Sequence, residues 1–165
     1  MTQSTTQAPD VLISEVGPRD GLQSVAPTMP TAAKKRWIDA LAAAGLREIE
    51  VGSFVPAKLL PQLADTAEIV AHALARPGVT VMALVPNLRG AQAAFGCGVH
   101  KITLPVSASV AHSLANVRKS PAQMLDELRS VVALRSRVNS RRTWAGLAWP
   151  VVSERPASST PASTA

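Results

Sequence analysis

Aromatic residues make up only 3% of this 165-residue chain, and no stretch interleaves them with clustered lysine and arginine. Base stacking needs such platforms, so nucleic acid is set aside as a partner despite a net charge of +6. A single cysteine, Cys97, excludes an internal disulfide and fits a reducing compartment. It lies between Gly96 and Gly98, where a helix should be ending, and reads as a small packing residue rather than a reactive thiol. No apolar run approaches the roughly 20 residues that span a bilayer. The N-terminal MTQSTTQAPD also has no basic segment leading into an apolar one, so a cytoplasmic protein without a membrane partner is expected. The three histidines, His72, His100 and His112, form no His-x-His pair.

What is present suits one α/β domain, because 47% hydrophobic content is enough for a core at this length. A strand is predicted over 11–16, buried and stopped by Gly17-Pro18. Thr31 opens a helix with Trp37, Ile38, Leu41 and Ala44 on one face, ended by Gly45. A strand over 46–51 and a helix over 61–76 follow, then a strongly apolar strand over 79–85. Asn87 is placed to cap a helix over 88–95. A fourth strand over 100–106 leads to a helix over 121–136, with Ser120 as cap and Pro121 in its first turn. Four strand-helix units in succession call for a parallel sheet with right-handed crossovers. Beyond them the order is lost, and Ser, Thr, Pro and Ala dominate the end of the chain. The expected organisation is a flexible N-terminus over 1–10, a partial barrel over 11–136 and a disordered, non-homologous tail over 137–165. Residues 136–165 hold four of the 17 basic groups but one of the 11 acidic groups, so the tail is the most basic part per residue.

The stretch EVGPRDGLQ, residues 15–23, sets an Arg-Asp pair after the first strand. Parallel α/β folds place their chemistry at the carboxyl ends of strands, which is where Arg19 and Asp20 would fall. A carboxylate there can hold a hard divalent cation, and a guanidinium can neutralise a developing oxyanion. The same residues also make an ordinary turn in which Arg19 pairs with Asp20, and spacing by itself favours that turn.

SEVGPRDGLQS resembles the signature of the hydroxymethylglutaryl-CoA lyase family, metal-dependent TIM-barrel enzymes of retro-aldol and Claisen chemistry. AAGLREIEVGSFVPAKLLPQLAD, LVPNLRG, GVHKITLPVSAS and ANVRKSPAQMLDELRSVVALR extend the likeness in order over about four fifths of the chain. The resemblance implies the N-terminal half of a TIM (β/α)8 barrel. It implies cleavage of 3-hydroxy-3-methylglutaryl-CoA to acetyl-CoA and acetoacetate, as in leucine degradation and ketone body metabolism. It gives Arg19 the role of steadying the thioester enolate and Glu50 that of a strand-end acid supporting the catalytic centre. Asp20 matches one ligand of a Mg²⁺ or Mn²⁺ ion, and Gln23 and Ser53 match positions lining the acyl-CoA pocket. Taken by themselves, Glu50 could simply pair with Arg19 or Arg47, and Gln23 and Ser53 could make local backbone hydrogen bonds.

The family's remaining ligands, a His-x-His pair and an Asn, should lie beyond residue 136, where the likeness is lost. A truncated product with a frame-shifted ending, inactive alone, is the reading preferred from sequence. On that reading the first and fourth strands are unpaired edges and an apolar barrel-facing surface lacks its cover. His72 falls in a helix, His100 at the amino end of a strand, and His112 in a solvated loop. Three alternatives stand beside this: a half-barrel that homo-oligomerises into eight strands, a condensing relative of the isopropylmalate and homocitrate synthase branch, and a non-catalytic basic interaction module.

Overall fold

Alternating apolar strands and amphipathic helices assemble into one parallel sheet backed by helices on one face. The computed structural model describes residues 11–137 and 144–148, with side chains through Arg135. Strand β1 spans Ser14–Glu15 and leads through a single π-type turn, Gly17–Gly21, to helix α1, Thr31–Ala43. Strand β2, Glu48–Ser53, a 3-10 turn at Pro61–Leu63 and helix α2, Thr66–Leu74, follow. Then come β3, Thr80–Leu84; α3, Leu88–Gly96; β4, Lys101–Pro105; α4, Val110–Val117; and α5, Pro121–Arg137. Strand β5, Trp144–Ala148, completes a sheet of order β1-β2-β3-β4-β5 in which every neighbouring pair is parallel. This is the half-barrel progression that the sequence order implies.

The two sides of the sheet divide the work. Ile49, Val51, Val81, Ala83, Ile102 and Leu104 point toward the helices and are almost fully buried. Ile38 of α1, Ile69, Val70 and Ala73 of α2, Ala91 and Ala94 of α3, and Met124 and Val131 of α5 meet them in one cluster. Each large aliphatic side chain buried there contributes about 1.5–3 kcal/mol. Alanine at 73, 91 and 94 keeps the helices close to the strands. Asn87 caps α3 by accepting from the Gly90 amide at 3.0 Å, and Ser120 Oγ accepts from the Gln123 amide at 3.2 Å.

Several sequence expectations change. Only Ser14 and Glu15 of the 11–16 run pair as a strand, and Val11, Leu12 and Ile13 are 74%, 60% and 65% exposed. Among the described residues β1 has a neighbour on one side only, and the three residues ahead of it pair with no strand. The fourth strand is not an edge, because β5 pairs along its whole length. The expected absence of strand order after residue 136 therefore does not hold at Trp144–Ala148. The expected flexible segment 1–10 and the rest of the 137–165 tail lie outside the described residues. His112 sits in α4 rather than in a loop, with the Ser109 hydroxyl accepting from its amide at 3.3 Å. The barrel-facing side of the described sheet, expected to be apolar, is mixed: buried Glu48, Glu50 and Thr103 share it with Met82 of β3.

Candidate functional site

Gly17 and Pro18 turn the chain sharply at the carboxyl end of β1. Glu15 Oε1 accepts from the Gly17 amide at 2.6 Å. A Cβ at Gly17 would stand 2.7 Å from that same oxygen and 3.2 Å from the Trp37 ring, so a larger residue would displace the Glu15 carboxylate from the Gly17 amide. The turn carries Arg19 and Asp20 over the carboxyl ends of the strands. Arg19 Nε donates to Glu50 Oε2 at 2.6 Å, and Arg19 Nη1 donates to Asp20 Oδ1 at 2.6 Å. Glu50, from the middle of β2, is only 1% exposed, and its other oxygen, Oε1, accepts from the Thr103 hydroxyl of β4. The side chain of Arg19 is 12% exposed and that of Asp20 56%. The sequence-predicted Arg19, Asp20 and Glu50 thus converge, with Glu50 buried beneath and Asp20 at the solvent side.

A second ion pair lines the same sheet face, where Lys101 Nζ contacts Glu48 Oε1 at 3.0 Å and Oε2 at 3.2 Å. Glu48 and Glu50, two apart on β2, and Lys101 and Thr103, two apart on β4, follow the period-two rule that puts alternate residues on one face. Thr103 is the participant the sequence reading missed. The matching polar alternation of the two strands was the available signal.

Ser53 and Gln23 are less closely tied to this cluster. Ser53 ends β2 and is buried; its hydroxyl accepts from the Val55 amide at 3.3 Å, the local backbone role that was its alternative reading. The Ser53 amide donates to Thr66 Oγ1 at 3.1 Å, while that hydroxyl donates to the Leu63 carbonyl at 2.7 Å. This stitches the start of α2 to the end of β2. Gln23 is half-buried just past the π-type turn. Lys34, buried in α1, reaches the Gln62 carbonyl and Asp65 Oδ1, and Thr31 Oγ1 donates to Asp65 Oδ2 at 2.7 Å. Burial would raise the Asp65 pKa, but the hydrogen bonds from Lys34 and Thr31 and the Lys34 charge outweigh it and hold the carboxyl below its ordinary range. This pair anchors the loop ahead of α2 to the first turn of α1.

The other candidates fall away from the cluster. His100 precedes β4 at its amino end, with Nδ1 accepting from the Val81 amide at 3.0 Å. His72, in α2, meets Asp39 at 2.9 Å. Cys97 ends α3 and packs, half-buried, against the core. Among the described residues no three of His, Cys, Asp and Glu gather as a metal site. Asp20 brings one exposed carboxylate already paired with a guanidinium, and a hard cation needs several oxygens. By themselves the described residues do not fit a divalent ion.

A parallel sheet in sequential strand order, with helices on one face and a charged cluster on the other, is part of a TIM-barrel fold. The family model described as HMGL-like matches residues 10–163, and the chain belongs to that family. The match runs into the tail, so the likeness does not stop at residue 136. The chain is 46% identical over 122 residues to a 3-hydroxy-3-isohexenylglutaryl-CoA/hydroxymethylglutaryl-CoA lyase of Pseudomonas aeruginosa, covering 74% of this chain and 41% of that protein. It is 40% identical over 121 residues to a hydroxymethylglutaryl-CoA lyase of Bacillus subtilis, 73% of this chain and 40% of the other. The crystal structure of the Bacillus subtilis HMG-CoA lyase superposes with a TM-score of 0.75 at 39% identity, over 83% of this chain and 46% of that one. An HMG-CoA lyase structure from Acinetobacter baumannii, in complex with coenzyme A and 3-methylmalate, matches with a TM-score of 0.75 at 32% identity, over 82% of this chain and 44% of that one. The chain thus spans about two fifths of the length of these curated relatives.

Proposed function

We propose that this chain carries the Arg19 corner of a carbon-carbon lyase site acting on 3-hydroxy-3-methylglutaryl-CoA, with acetyl-CoA and acetoacetate as products. The observation that carries this reading is the convergence of Arg19 and Asp20, at the carboxyl end of β1, on Glu50 of β2, in a chain 46% identical over 122 residues to a lyase of that class. Arg19 is the group that meets the thioester oxygen and steadies the enolate as the bond breaks. Glu50, with both oxygens occupied and almost no exposure, holds Arg19 rather than moving a proton. Gln23 and Ser53 are assigned to the walls of the acyl-CoA pocket. A cytoplasmic setting and a place in leucine or ketone body metabolism accompany this reading.

The described residues hold no complete set for binding a metal and transferring protons, so the chain on its own is expected to be catalytically silent. Equilibrium dialysis against 3-hydroxy-3-methylglutaryl-CoA, followed by a lyase assay with Mg²⁺ or Mn²⁺ supplied, tests both halves of the proposal. Thioester binding weakened at least tenfold by Arg19→Gln, without turnover, is the expected pattern. Binding indifferent to that substitution would remove Arg19 from the site. Turnover that disappears in Asp20→Asn would establish an active lyase and refute the silence.

A further inference from the structure

Thr103 is 9% exposed and sits on β4, two strands away from Glu50 on β2. In the ladder it pairs with Leu84, whereas Glu50 pairs with Met82. Its hydroxyl therefore reaches across the face of β3 to Glu50 Oε1, instead of bonding within its own strand. Valine has the same shape and higher strand preference, and packing alone would be met by it. What the hydroxyl adds is a donor for a carboxylate that is buried to 1% exposure.

That donor has a geometric consequence. A carboxylate held at one oxygen can still swing about its terminal torsion, which is broad and soft. Glu50 is held at both, by Thr103 at Oε1 and by Arg19 Nε at Oε2. Arg19 has five N–H donors in a planar fork. With Nε fixed on Glu50 and Nη1 on Asp20, the plane of the guanidinium is set by its partners. The remaining Nη hydrogens are then the ones left to meet an oxyanion.

We propose that Thr103 is a positioning residue for Arg19, acting through Glu50 to fix the orientation in which the guanidinium meets the substrate oxygen. The proposal rests on the lyase-type reading for its purpose but not for its test. Nuclear magnetic resonance of the Arg19 Nε–H in the full chain reports directly on the bond to Glu50. In Thr103→Val, exchange of that proton with water should rise by about fivefold, the scale of one lost hydrogen bond. Thr103→Ser, which restores a hydroxyl, should return it to the wild-type rate. A purely structural threonine would leave the Arg19 signal unchanged in a folded Thr103→Val protein, and that outcome overturns the proposal. Failure of Thr103→Ser to rescue overturns it as well.

Should Thr103→Val not fold, the wild-type protein suffices: the Thr103 hydroxyl proton, held by Glu50, should be observable and slowly exchanging. A hydroxyl proton that exchanges with water too fast to be observed would refute the bond and with it the proposal. Thioester binding is scored separately. If Arg19 responds to Thr103→Val but the wild type binds no acyl-CoA, the positioning stands and the lyase reading falls. If acyl-CoA binds and Arg19 does not respond, the reverse holds.

Discussion

Removing one charge at a time from the Arg19–Glu50 pair should give unequal losses of stability. Glu50→Gln keeps the volume of the side chain and so leaves no cavity. One amide oxygen can still accept from Arg19, the new amide can donate to a rotated Thr103 hydroxyl, and Arg19 keeps its bond to Asp20. The loss is then the charge-assisted part of one hydrogen bond, about 1–1.5 kcal/mol. Arg19→Gln is the harsher change, because it takes the cationic partner from a Glu50 side chain at 1% exposure and leaves only the Thr103 hydroxyl as a described partner. Breaking a buried pair from that side costs about 3–5 kcal/mol. Urea unfolding with a slope of about 1–3 kcal/mol/M turns these values into separate midpoint shifts, with the arginine variant lower. Equal shifts, or a larger loss in Glu50→Gln, would refute the view that the buried carboxylate is the more dependent partner.

Acidification should weaken the fold through two carboxylates. Burial raises the pKa of Glu127, but the Lys119 ammonium and the Leu88 amide outweigh it, so Glu127 like Asp65 lies below its ordinary value when folded. Such groups add stability that is complete above the unfolded pKa, ordinarily 3.8 for Asp65 and 4.5 for Glu127, and is lost as pH falls through the folded value. Asp65→Asn and Glu127→Gln should each flatten the fall in thermal midpoint below pH 5, and an unchanged slope would exclude these two groups as its cause. Gly52→Ala would place a Cβ 2.5 Å from Thr66 Oγ1 and 2.8 Å from its Cγ2, for a loss of about 1–3 kcal/mol read by urea unfolding. Ile13→Lys, on an exposed residue ahead of the edge strand, should change stability by less than about 0.5 kcal/mol while lowering light scattering on heating.

The amino-acid sequence by itself determined the strand-helix alternation, the caps at Asn87 and Ser120, and the placing of Arg19 and Asp20 at a strand's carboxyl end. These depend on local matters, namely hydrophobic period, turn chemistry and cap residues, which are written within a few neighbouring positions. The exposure of Val11, Leu12 and Ile13 was not legible, because an apolar run reads as buried whether or not a neighbouring strand is there to cover it. Strand β5 was hidden for the opposite reason: Trp144–Ala148 pairs with β4 while surrounded by residues typical of loops. Only the tertiary structure decided that Glu50 reaches both Arg19 and Thr103, 31 and 53 positions away in sequence. The physical reason is that a parallel sheet brings alternate residues of separate strands onto one face, and its register, not local sequence, chooses which polar groups meet there.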